Sequence, residues 1–85
     1  SDIDIVDFQV VELLGKRAGL VNLLARLKKG GQVRDPGRKR EVLGRVKEIA
    51  AQKGFSPEVI EEIYGILFRH FVRLQDEKIK NNEGN

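Results

Sequence analysis

The chain has 85 residues, 40% of them hydrophobic and 34% charged, and no cysteine. That is the composition of one folded, water-soluble domain, and it excludes disulfides and thiolate metal sites. A single histidine leaves little for a transition-metal centre, or for Cys-His or Ser-His-Asp catalysis. No apolar run approaches the ~18 residues of a membrane span and no signal-peptide pattern opens the chain, so the expected location is cytoplasmic by default. The net charge of +3 conceals an asymmetry. Residues 1–12 carry Asp2, Asp4, Asp7 and Glu12 and no base, whereas residues 26–40 carry Arg26, Lys28, Lys29, Arg34, Arg38, Lys39 and Arg40 against Asp35 alone. Such a local field attracts an anion.

The first element is expected to be a long helix over residues 3–29. Ile3, Val6, Val10, Leu13, Leu20, Leu24 and Leu27 follow a 3-4 spacing broken once by Arg17, and Val11, Leu14, Ala18, Val21 and Ala25 form a second stripe. Two apolar stripes require more than one packing neighbour. At ~1.5 Å per residue the rod would be about 40 Å long, longer than the roughly 30 Å diameter of a compact chain of this size. Pairing of two long helices in a homodimer removes the overhang. Gly15, Gly19, Gly44 and Gly65 fit close backbone contact, because each costs ~1 kcal/mol in a helix relative to alanine.

Lys29-Gly30-Gly31-Gln32-Val33-Arg34 reads as a loop. A second helix is expected over 36–53, with Asp35 as N-cap and Pro36 at its first position, ended by Gly54. A third is expected over 57–80, with Ser56 as N-cap, Glu58 in the first turn, and Phe55 and Ile60 placed for a hydrophobic staple. The expectation is therefore an all-α fold of three helices in one domain, residues 1–80, with a frayed tail at 81–85.

The functional signal is polar residues on apolar stripes. Arg17 interrupts the first stripe. Lys28 lies three turns further along nearly the same face, Arg38 stands one turn before Val42 and Val46, and Gln75 follows Tyr64, Phe68 and Phe71. Singly, such cations snorkel or form structural ion pairs. Jointly, two guanidiniums, an ammonium and a carboxamide make a receptor for a small dianion. The rival class is a non-catalytic module, with Arg38, Lys39, Arg40, Arg45 and Lys47 as a basic helix on nucleic acid. Glu41 and Glu48 interrupt that patch and it has no aromatic for base stacking, so no nucleic acid is expected. His70 is read as a core-edge residue without a catalytic role, and Tyr64 and Phe68 as core.

Over nearly its whole length the chain resembles the all-α chorismate mutase family. The resemblance is carried by Ile3-Asp4-Ile5-Val6-Asp7, Val11-Glu12-Leu13-Leu14-Gly15-Lys16-Arg17, Lys28, Val33-Arg34-Asp35-Pro36-Gly37-Arg38, Ile63-Tyr64-Gly65-Ile66-Leu67 and Gln75, in that order and spacing. It implies an intertwined homodimer whose long first helices span both subunits and whose active sites are shared. It implies the rearrangement of chorismate, a small dicarboxylate, to prephenate, with no metal and no cofactor. Carried over by position, Arg17 and Arg38 clamp carboxylates, Lys28 and Gln75 hydrogen-bond the ether oxygen, and Asp35 lies beside the substrate hydroxyl. Three departures stand out. An arginine that the family carries three residues before the position of Ile3 would here precede Ser1. Lys39 replaces a glutamate that contacts the hydroxyl. Phe71 replaces a small hydroxyl residue near a carboxylate. The departures keep three alternatives open: isochorismate pyruvate lyase, another related pericyclic enzyme, and an inactive mutase-like module.

Overall fold

A computed structural model of the chain describes residues 1–27 and 36–83, with side chains described as far as Glu77. The described residues form three helices and no strand: α1 (Asp2–Leu27), α2 (Pro36–Gln52) and α3 (Pro57–Glu83). The all-α expectation is borne out. The chain divides into two units, residues 1–30 and 31–85, the first being α1 and the second a hairpin of α2 and α3.

Helix α1 begins one residue earlier than the periodicity suggests, because Ser1 caps it. The Asp4 N–H donates to Ser1 Oγ at 3.3 Å, and the Ile5 N–H donates to the Ser1 carbonyl at 3.2 Å. Asp2 and Asp4 in the first turn and Arg26 in the last complement the helix dipole. Most of the helix is exposed, Ile3 to 73% and Leu27 to 71%. Arg17, Val21, Asn22 and Ala25 are the shielded positions, and three of them recur every four residues along one edge. Most residues of both apolar stripes of α1 are exposed.

Both ends of the α2–α3 turn are closed by backbone chemistry written locally in the sequence. Gly54 adopts φ 77°, which places it in the left-handed region that other residues enter at a cost. The Phe55 N–H then donates to the Ala50 carbonyl at 2.8 Å and the Gly54 N–H to the Ala51 carbonyl at 3.2 Å. These two bonds satisfy carbonyls that the end of α2 would leave unpaired. Two residues on, the Val59 N–H donates to Ser56 Oγ at 3.2 Å, and the Ser56 hydroxyl donates to Glu58 Oε2 at 3.1 Å. Glu58's own backbone N–H and the Ser56 hydroxyl, both bonded to its carboxylate, hold that carboxyl below its usual pKa. Pro57 takes the first helical position, where a missing N–H is harmless.

Two further helix ends depart from expectation. Helix α3 continues to Glu83 rather than stopping at 80, since no glycine or proline follows Gly65 until Gly84. Residues 81–83 are therefore helical, not part of a frayed tail. Helix α2 ends at Gln52, one residue short of the expected 53. The expected last residues of the first helix, the glycine loop and the Asp35 cap fall outside the described residues.

The hairpin seam is formed from α2 by Lys39, Val42, Leu43, Val46, Lys47 and Ala50, of which Ala50 is the most buried. Opposite them, α3 presents Ile60, Ile63, Tyr64, Leu67, Phe68 and Phe71 as partly buried residues. Two cross-helix pairs fix the antiparallel register. Lys47 Nζ lies 2.8 Å from Glu61 Oε1 near the turn, and Lys39 Nζ lies over the Phe68 ring near the open end. The hydrogen bond and attraction from Glu61 raise the Lys47 ammonium above its usual pKa.

Candidate active site

The open end of the hairpin, where α2 begins, concentrates positive charge. Arg38, Lys39 and Arg40 occupy the first turns of α2, and no acid stands in its first turn. This is the reverse of α1 and α3, whose first turns hold Asp2 and Asp4 and Glu58. Cations at the positive pole of a helix repel the dipole, whereas an anion there is attracted both by the pole and by the side chains.

The three cations of this turn point in different directions. Lys39 lies in the seam, partly buried, with its ammonium 5.9 Å from the centre of the Phe68 ring. The Tyr64 ring meets that of Phe68 edge to face, with centroids 6.1 Å apart and planes at 69°. Arg38 is exposed, its side chain 54% accessible, and its Nη1 donates to Glu41 Oε2 at 3.2 Å. The expectation that Arg38 shares the inner stripe with Val42 and Val46 is thus corrected. The residue of this turn that faces α3 is Lys39, because α2 turns about 100° between successive residues and the seam follows the 39-42-46-50 line.

Along α3 the partly buried stripe of Tyr64, Phe68 and Phe71 runs on to Gln75, also partly buried. By the antiparallel register, Phe71 is level with the first residue of α2 and Gln75 lies about a turn beyond it. A carboxamide there offers two donors at the mouth of the hairpin. His70 is exposed rather than at a core edge, since it turns away from the seam line through Leu67 and Phe71.

Arg17 lies in the other unit, partly buried at the start of the shielded edge that continues through Val21 and Ala25. Lys28 and Asp35 fall outside the described residues. The structure thus places Arg17 on α1 and Arg38, Lys39, Phe71 and Gln75 at one end of the hairpin. Reading the sequence alone misses the contact of Lys39 with Phe68. The seam spacing that puts Lys39 one turn before Val42 and Leu43, opposite an aromatic, is the signal that could have revealed it.

No helix among the described residues is long and apolar enough to cross a membrane. Comparison with known proteins adds one match: the family of type II chorismate mutases, over residues 1–76. No curated protein and no solved structure matches. The matched span includes all of α1 and α2 and extends one residue past Gln75 on α3. The chain belongs to the chorismate mutase type II family.

Proposed function

We propose that the chain is a chorismate mutase that acts as a homodimer. The observation that carries this reading is the family match over residues 1–76. The distribution of cations and the Gln75 carboxamide on the helices supports it.

In this reaction a carbon–carbon bond forms between the enolpyruvyl methylene and the ring while the ether carbon–oxygen bond breaks. Six electrons move round one ring of atoms, and nothing is transferred to or from the protein. The tasks left to side chains are to hold the folded conformer of the substrate and to stabilise negative charge that grows on the ether oxygen. Arg17 and Arg38 suit the first task, because a guanidinium binds a carboxylate through two parallel hydrogen bonds. Lys28 and Gln75 suit the second, as donors whose bonds strengthen as the oxygen becomes anionic. Asp35, Lys39 and Phe71 complete the surround of the hydroxyl and the carboxylates.

The dimer is supported by α1. Its row of Ile3, Val6, Val10, Leu13, Leu20, Leu24 and Leu27 is exposed. Contiguous apolar surface of this extent on a water-soluble chain marks an interface. A second copy of the same helix offers a matching row.

The test is to incubate the full chain with chorismate, follow its disappearance and identify the product by chromatography. Prephenate is the expected product. Release of pyruvate would assign the chain to lyase chemistry, and unchanged chorismate would overturn the reading.

A further inference from the structure

The Lys39 ammonium is held differently from the cationic groups of its hairpin neighbours Lys47 and Arg38. Lys47 is bonded to Glu61 at 2.8 Å and Arg38 to Glu41 at 3.2 Å. Each of those charges is offset by a carboxylate. Among the described residues no carboxylate lies within ion-pair distance of Lys39; its neighbour is the face of Phe68, 5.9 Å away. An aromatic face attracts a cation through its quadrupole without neutralising it, and leaves the ammonium N–H groups free to bond an anion. The Phe68 ring is itself braced edge to face by Tyr64, so its position is set by the seam. The result is a localised ammonium, not neutralised by any carboxylate among the described residues, beside the mouth that Phe71 and Gln75 line.

We propose that Phe68 is a positioning residue: its ring holds the Lys39 ammonium as an anion ligand for the dicarboxylate substrate. The inference rests on the mutase reading for the identity of the anion, but not for the pairing itself. Lys39 lies in the seam by helix geometry, and the aromatic opposite it determines where the charge sits. Loss of the ring leaves the charge present but mobile, so ligand must then bear the entropy of ordering a long side chain.

The experiment is a double-mutant cycle in the full chain on Phe68→Leu and Lys39→Gln, with Phe68→Tyr as the variant that keeps a ring. Two quantities are read: KM and kcat for chorismate, and the Kd of a bicyclic dicarboxylate mimic of the transition state by calorimetry. Circular dichroism and the ring-current displacement of the Lys39 ε-methylene proton signals check that each variant folds and whether the pair is made. A cation–π pair at a partly exposed site corresponds to about a two- to five-fold effect. Phe68→Leu is expected to raise KM and Kd by that factor with kcat changed less. Phe68→Tyr should restore wild-type values, and Phe68→Leu should have no further effect once Lys39 is glutamine. Additive effects of the two substitutions, or KM and Kd unmoved by Phe68→Leu in a folded variant, would overturn the proposal while leaving the mutase reading intact. Coupled effects on Kd in a chain that leaves chorismate unchanged would support Phe68's role and overturn the mutase reading instead. A wild-type chain that neither binds the mimic nor consumes chorismate would overturn both.

Discussion

At the scale of single residues, Gln75 makes the sharpest test of the proposed chemistry. It sits partly buried at the end of the α3 stripe, and its proposed task is to donate a hydrogen bond to an oxygen that becomes negative. In Gln75→Glu an ionised carboxylate would present only acceptors there and repel that oxygen. Once protonated it would donate again. Because an ordinary glutamate titrates near ~4.3, activity should be low at neutral pH and rise on acidification. The loss at neutral pH should be about 10²-fold or more, the effect of removing one oxyanion donor. A kcat/KM profile against pH for wild type and variant checks this; parallel profiles would remove Gln75 from the site. The same scale shows where sequence reading fails. Position 38 is four residues before Val42, and position 39 is three before Val42 and four before Leu43. Either spacing aligns with the apolar stripe, and only the contact with Phe68 shows which cation turns inward. Arg17, by contrast, is legible as an interruption in a run of apolar residues, and it emerges as one of the shielded positions on α1.

At the scale of elements, legibility follows how local the deciding chemistry is. The α2–α3 turn could be read from Gly54, Ser56 and Pro57 alone, since the bonds that close it join residues no more than five apart. The end of α3 could not, because a polar stretch without a breaker gives no stop signal. The turn also supports a stability prediction. A methyl group built on Gly54 meets nothing within 4 Å, so any effect of Gly54→Ala comes from its φ of 77° and not from a clash. Holding alanine in the left-handed region costs about 1 kcal/mol or somewhat more. That corresponds to a fall in Tm of roughly 4–8 °C for a domain of this size. Thermal unfolding followed by circular dichroism checks it. An unchanged or higher Tm would mean that the turn readily takes another geometry, and that the two bonds to the α2 carbonyls contribute little.

At the scale of the whole molecule, the question is what covers α1. The apolar rows are legible in the sequence, and so is the mismatch between rod length and globule size. The partner is not, because periodicity specifies a face without specifying what meets it. Leu13 separates the possibilities, being central in the row and 60% exposed in the chain alone. Glutamate forms helices about as well as leucine, so Leu13→Glu on a solvent-facing helix should move stability by no more than about 0.5 kcal/mol. In a dimer packed along this row, the same substitution would bury a charge at the contact and again at its symmetry mate, a change that costs several kcal/mol unless the charge is paired. The expected outcome is a wild-type dimer of about 19 kDa, twice the 9.6 kDa chain, whose Tm rises with protein concentration. Leu13→Glu should shift it to monomer and lower its helicity and turnover together, since the proposed site is shared between subunits. Sedimentation equilibrium over a hundred-fold concentration range provides the measurement. A wild-type monomer throughout, with Leu13→Glu indistinguishable from it, would mean that α1 meets something other than its own copy, and that any activity of the chain resides in one protomer.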